Sequence, residues 1–397
     1  MDYEVVVAGA GPVGATAALI LARAGIQVLL VEAGADCAGD LRASTLHPPT
    51  LDMLHALELT ETLEAQGLRA PVYRFFNRQT GNAISFDLSE LQDFSAHPYR
   101  LQCEQWKLAR LASARVAASP SGEVRFSRRV VGFTQDSEGV TINLEAPTEI
   151  ETVRARYLVA CDGANSLIRK FLGIAFEGFT YPEKFLCLST HLPLEEHVPG
   201  LCRVNYMADP KEWMVLLQAP TAWRVLIPAA ETDPDTLLLS DAKKNAVFAG
   251  ILGDGAAVVT AHRTIYRVHQ RVATSYRGGR VLLAGDAAHV NNPLGGLGMN
   301  SGIHDVWNLG ARLIRILRDG ATEDGLDHYV RQRRTVMREI VQAQTIRNKR
   351  AIEMSEQDAA ETHEAELRAI AADPVRRRAY LMQQSLYSSL EREARIV

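Results

Sequence analysis

Residues 3–8 (Tyr-Glu-Val-Val-Val-Ala) form a short β-branched run closed at once by Gly9, the pattern of a buried parallel strand. From Val13 to Ala24 alanine and leucine recur at helical spacing, and Gly25 stands where a glycine ends a helix. Residues 27–32 read as a second strand, so the chain begins with a βαβ unit. Beyond it the pattern is mixed. A helix is expected over 50–66, strand-like pieces around 73–76 and 83–86, and a helix again over 104–116. Residues 124–131 and 139–144 alternate as a hairpin about Asp136-Ser137-Glu138-Gly139, and 154–161 is an apolar strand ending at Asp162-Gly163.

From 176 to 228 the character changes to short alternating strands separated by turns with Pro and Gly. Residues 280–285 return to a buried-strand pattern, followed by a helix over 302–318 and further helices over 323–356 and 360–396. The expected fold is α/β: a Rossmann-like domain interleaved with a second, antiparallel or mixed-sheet domain and C-terminal helices. The first domain is assigned to 1–174 and 265–320, the second to 175–264 with part of 70–100, and the helical region to 321–397.

A length of 397 residues, 47% hydrophobic and 23% charged, suits two domains or one large domain with an insertion. Lys and Arg total 43 against 47 Asp and Glu, a net charge of -4, which argues against a nucleic-acid partner. Five scattered cysteines, none spaced Cys-x-x-Cys, read as reduced thiols rather than a disulfide framework or zinc site, and no metal is expected. No apolar run is long enough to predict a membrane span, and the first four residues carry no basic side chain of a signal peptide. A cytoplasmic, globular α/β protein is expected. The basic clusters 331–334 and 376–378 are interleaved with acids and read as solvated helix faces.

Gly9-Ala10-Gly11-Pro12-Val13-Gly14 fits G-x-G-x-x-G between a strand and a helix. Gly9 permits the tight turn, Gly11 lets backbone approach a pyrophosphate, and Gly14 lets helix and strand pack closely. The first turn of the helix, from Pro12 and Val13, offers free N–H groups to phosphate. Glu32, eighteen residues after Gly14, is placed to accept ribose hydroxyls, which suits FAD or NAD rather than NADP. Two motifs follow far downstream: Cys161-Asp162-Gly163-Ala164-Asn165-Ser166 with Arg169, and Gly285-Asp286-Ala287-Ala288-His289 with Pro293 and Gly295-Gly296-Leu297-Gly298-Met299-Asn300. An aspartate at a strand end can bind polyol hydroxyls, and a glycine-rich loop at a helix start favours nearby negative charge.

These three motifs in this order resemble the single-component FAD-dependent aromatic hydroxylases, the para-hydroxybenzoate hydroxylase-like family. The resemblance spans nearly the whole chain. It implies that Gly9, Gly11, Pro12, Val13, Gly14 and Glu32 hold the ADP half of tightly bound FAD. It further implies that Arg42 approaches the phosphates, Gln102 bonds to the FAD chain, and the backbone of Val130 meets the adenine. Asp162 would serve both FAD and nicotinamide, Asp286 the ribityl chain, and the backbone of Gly298, Met299 and Asn300 the flavin pyrimidine.

The reaction so implied takes NADH or NADPH and O2 as co-substrates. Reduced FAD forms a C4a-hydroperoxide that passes one oxygen to an electron-rich aromatic or heteroaromatic ring, while the protein supplies placement, charge and dryness. The substrate carbon must come within roughly 3–3.5 Å of its partner atom. Candidates at the reacting centre are Tyr206, on a strand where the family places a tyrosine against the substrate hydroxyl, His289 as an acid or base, and Pro293 at the cavity edge. The serine and arginine that grip a carboxylate in the prototype are matched here by Leu217-Gln218-Ala219, in a neighbourhood that Met214, Val215, Leu216 and Trp223 make apolar, so Leu216 and Gln218 are substrate candidates and Arg224 could still serve an acid. A larger or more apolar aromatic than 4-hydroxybenzoate is expected. The same FAD domain also occurs in reductases of the geranylgeranyl-reductase type, and a non-catalytic flavoprotein is a third reading.

Overall fold

Val5, Val6 and Val7 are wholly buried because their strand, Tyr3–Ala8, lies in the middle of a sheet covered by helices. The computed structural model describes residues 1–37, 43–210, 212–253, 258–353 and 357–397. Tyr3–Ala8 pairs in parallel with Val28–Val31 on one side and Ile150–Ala160 on the other. Gly122–Arg125 and Val281–Leu283 extend the parallel sheet at its two ends. The helices Pro12–Arg23, Gln105–Ala117 and Leu297–Arg318 pack together against it. Strand ends, and hence the loops after Ala8, Ala160 and Leu283, meet at one edge.

The second large sheet has eight strands among the described residues. They run in the order His289–Val290, Thr260–Ala273, Phe176–Thr190, Ala222–Ala229, Met214–Ala219, Val204–Ala208, Val72–Asn77 and Ala83–Asp87. Thr260–Ala273 crosses the expected boundary at 264–265 and pairs along Phe176–Thr190. One face of this sheet is sealed by the helix Asp241–Leu252, whose Val247 and Phe248 pack on Leu186, Met214, Leu216 and Val225. The other face carries Cys187, Val204, Tyr206, Val215 and Leu226, and meets Leu294 and the C-terminal helices through Ile352 and Leu381. Alternate residues along each strand therefore enter different cores.

Three local expectations change. The helix expected over 50–66 is two helices, Pro48–Ala56 and Thr60–Ala65, separated where Glu58 adopts a φ of 61°. The run 124–131 is not one hairpin arm. Its first part belongs to Gly122–Arg125, Ser127 takes a φ of 53°, and Arg129–Gln135 then pairs with Val140–Glu145. Finally, Arg333 is not on a solvated face: it is buried and bonded to Asp305, while Arg377 and Arg378 pair with Glu90 and Asp93. No helix among the described residues is long and apolar enough to cross a membrane.

Candidate active site

The glycine loop separates what the protein itself requires from what a ligand requires. Gly9 has a φ of 100°, and a β-carbon there would collide with the Cys161 carbonyl. A β-carbon on Gly14 would collide with the Gly9 carbonyl, so helix Pro12–Arg23 can lie this close to its strand only with glycine there. Gly11 is different. Nothing lies within 4 Å of where its β-carbon would be, and it borders an internal cavity. Gly11 caps the helix without a side-chain hydrogen bond, which leaves the N–H groups of the first turn available to an anion. Glu32 steadies the loop, accepting from the Ala10 and Gly34 amides, each at 2.8 Å.

The two downstream loops face the same space. Asp162 Oδ2 accepts from the Ile168 amide at 3.3 Å, while Oδ1 is buried without a partner, and burial pushes the carboxyl above its ordinary range. Arg169 clasps both loops, donating to the carbonyls of Ala287 (2.8 Å) and Ala164 (2.9 Å). Asp286 borders the cavity. Gly295 and Gly296, with φ of 103° and 68°, turn the chain into the helix Leu297–Arg318, and Gly298 and Met299 of its first turn line the cavity. Asn300 does not line it. Its amide donates to the Thr45 and Gly296 carbonyls at 2.9 and 2.7 Å and accepts from the His47 amide at 2.9 Å. Gln102 accepts from Thr45 Oγ1 at 3.0 Å, leaving its buried Nε2 without a partner.

These features fit FAD. Open space at Gly11, an uncapped helix start, an orphaned carboxylate oxygen and an orphaned amide suit a ligand carrying phosphates and hydroxyls. The cavity, of about 390 Å³, runs from Gly11 past Asp286 and Pro293 to the second sheet.

At the sheet, register decides which candidates face inward. Tyr206 pairs with Val215 and Leu217 with Arg224, and all four line the cavity together with Leu226 and Cys187. Leu216 and Gln218 therefore point the other way. Leu216 is buried in the core beneath helix Asp241–Leu252, and Gln218 Nε2 donates to Glu195 at 2.7 Å. A shift of one residue along a strand reverses every side chain, so of the expected match Leu217 alone faces the cavity, with Val215 beside it.

His289 also lies outside the cavity lining. Its Nε2 meets Asp305 Oδ2 at 2.7 Å with both side chains fully buried, and Asp305 in turn accepts from Arg333 and from the Gly285 amide. Val130 sits on Arg129–Gln135 opposite Leu144, away from the cavity lining. Arg42 lies outside the described residues.

One residue escaped the sequence reading. Arg100 is 1% exposed, borders the cavity, and donates from Nη1 to the Tyr206 hydroxyl at 3.2 Å. Its guanidinium lies 4.2 Å from the centre of the Tyr73 ring. Its only sequence signal was an arginine two places before Gln102 in a buried strand pattern.

Comparison with known proteins agrees with this geometry. Residues 2–344 match the family model described as FAD binding domain. The chain is 33% identical over 339 residues to para-nitrophenol 4-monooxygenase of Pseudomonas sp. strain WBC-3, covering 84% of this chain and 83% of that protein. It is 32% identical over 345 residues to 6-hydroxy-3-succinoylpyridine 3-monooxygenase HspB of Pseudomonas putida, covering 86% of each. The crystal structure of p-nitrophenol 4-monooxygenase PnpA from Pseudomonas putida DLL-E4 superimposes with a TM-score of 0.92 at 28% identity over 98% of both chains.

Proposed function

The chain belongs to the FAD binding domain family together with single-component aromatic monooxygenases, and on that premise we propose that it inserts one oxygen atom of O2 into an electron-rich aromatic or heteroaromatic ring at the expense of NADH or NADPH. It is an enzyme, an FAD-dependent aromatic hydroxylase. The observation that carries the reading is the continuous cavity joining the Gly11 loop to the inward face bearing Tyr206. When bound there, FAD would supply the redox chemistry that activates oxygen.

The chain's own residues supply the rest. Gly11 and the first turn of Pro12–Arg23 bind the pyrophosphate, Glu32 the ribose, and Asp286 the ribityl hydroxyls. Asp162 and Gln102 each bring a buried atom that still needs a partner. The N-terminus of Leu297–Arg318 offsets negative charge that develops near Gly298 and Met299. Val215, Leu217 and Leu226 exclude water, while Tyr206 orients an oxygen substituent of the ring. The first sheet with its helices forms the FAD part, and the second sheet, drawn from 72–87, 176–229, 260–273 and 289–290, the substrate part. The partner is a small aromatic molecule rather than nucleic acid, and the location is cytoplasmic, where nicotinamides are available.

The test mixes the FAD-loaded protein with NADH or NADPH, isotopically labelled O2, and a panel of phenols and hydroxypyridines. One labelled oxygen per product ring is expected. Nicotinamide oxidation that yields only hydrogen peroxide, joined with anaerobic reduction of an isoprenoid double bond, would move the protein to the reductases.

A further inference from the structure

A buried guanidinium without a counter-ion is costly unless something pairs with it. Arg100 is 1% exposed, yet only Nη1 has a hydrogen-bond partner, the Tyr206 hydroxyl, while Nε and Nη2 have none. Five N–H donors thus meet one acceptor and the face of the Tyr73 ring. Arg224, on the same wall and 5% exposed, repeats the pattern: Nη1 donates to Ser44 at 3.3 Å and Nη2 has no partner.

Among the described residues, the titratable groups facing Arg100 include no carboxylate. They are Tyr73, Tyr206, Tyr380, His47 and Cys202. Burial pushes the hydroxyls of Tyr73 and Tyr380 and the thiol of Cys202 upward, towards their neutral forms. Burial, helped by Arg100 itself, keeps His47 from protonating. Among the described residues, the one acid of the cavity lining is Asp286, which belongs to the Gly285 loop and not to the sheet. The sheet end of the cavity is therefore cationic inside an apolar wall.

Resting on the hydroxylase reading, we propose that Arg100 is a specificity-determining residue that holds an anionic oxygen group of the substrate, so that the cavity selects aromatic anions over neutral rings of the same shape. The group is either a ring oxide or a carboxylate, and both present oxygen acceptors to a fixed guanidinium fork. Arg100 already donates to the Tyr206 oxygen, which leaves the Tyr206 hydrogen free for the same group. Val215, Leu217 and Leu226 make the wall apolar, and Arg100 and Arg224 place positive charge within it.

The test uses oxidised, FAD-loaded protein without turnover, with binding read from flavin difference spectra. Three probes separate the sources: 4-nitrophenol for a ring oxide, 4-methoxybenzoate for a carboxylate, and neutral 4-nitroanisole. At least one anion should bind about tenfold or more tighter than 4-nitroanisole, as befits hydrogen bonds to a charged group. Arg100→Met should abolish that preference while FAD remains bound, and Arg100→Lys should restore part of it. Should Arg100→Met fail to load FAD, Arg100→Gln removes the charge with a polar side chain in place.

Equal binding of 4-nitroanisole, a preference that survives loss of Arg100, or uptake of none of the probes overturns the proposal. The hydroxylase reading is judged separately by labelled-oxygen incorporation. A protein that hydroxylates a neutral ring and ignores both anions keeps that reading and loses this inference.

Discussion

His289 and Asp305 share a hydrogen bond of 2.7 Å with no solvent at either side chain, and the same carboxylate accepts from the Gly285 amide at 3.0 Å. The pair therefore holds the start of the loop that carries Asp286. Burial pushes the Asp305 carboxyl up, but His289 and Arg333 pull it further down, to a net position below the ordinary aspartate range. Asp305→Ala takes a carboxylate from the buried Arg333 guanidinium and a hydrogen-bond partner from His289, and should cost about 3–5 kcal/mol. Thermal melting should record that loss, and flavin release on gel filtration should accompany it. The contribution of Asp305 is present above the unfolded aspartate pKa and is lost as pH falls through the lower folded value.

Buried histidines set a second acid limit. His304 is held down to about 3 by burial first and by Arg333 next, and its Nε2 meets Thr50 at 3.1 Å. The unfolded chain binds a proton near the ordinary histidine value that the folded chain refuses. Stability from this group is therefore complete above about 6.5 and declines by about 1.4 kcal/mol per pH unit as pH falls towards the folded value. Urea midpoints measured across that range should fall for the wild type and flatten for His304→Gln, after allowance for its lost hydrogen bond.

Gly11 and Gly14 should separate cofactor binding from folding. Gly11→Ala meets no protein atom, so the apo-protein should keep its stability within about 0.5 kcal/mol or gain slightly. Its affinity for FAD should fall at least about tenfold, since the methyl group enters the pyrophosphate space. Gly14→Ala drives a methyl group into the Gly9 carbonyl and should lower the melting temperature of apo-protein and holoenzyme alike.

Strand register gives a paired prediction. Leu216→Ala empties a wholly buried site and should cost about 2–5 kcal/mol while leaving the order of substrate preference unchanged. Leu217→Ala enlarges the cavity and should shift preference toward bulkier rings, with a smaller loss of stability because the side chain is only partly buried. Denaturant titration and kcat/KM over a ring-size series check the two together.

The glycine loop's backbone was legible because it is local: strand, tight turn, helix start and Glu32 occur within one βαβ unit, and Gly9 and Gly14 each have a distinct steric reason. The inward face of Met214–Ala219 was not. Both faces of that sheet are covered, so Val215, Leu216 and Leu217 are all apolar and alternation leaves no mark. Arg100 and Arg333 were hidden for another reason. An arginine in sequence looks solvated, and what buries these two lies far along the chain, at Tyr206 and at Asp305 with Glu393. His289 carries in sequence no sign of Asp305, the carboxylate that meets it from the next helix.

The interleaving of the two sheets fixes when the site can exist during synthesis. A ribosome delivers the Gly9 loop first, but the parallel sheet behind it waits for Val281–Leu283, and the cavity wall waits for Thr260–Ala273. Arg333, which steadies Asp305, takes its second carboxylate from Glu393. The nascent chain therefore carries a recognisable phosphate loop long before it has a site for flavin. Cofactor capture is a late event, and until then the half-built second sheet exposes unpaired edges that call for protection from association.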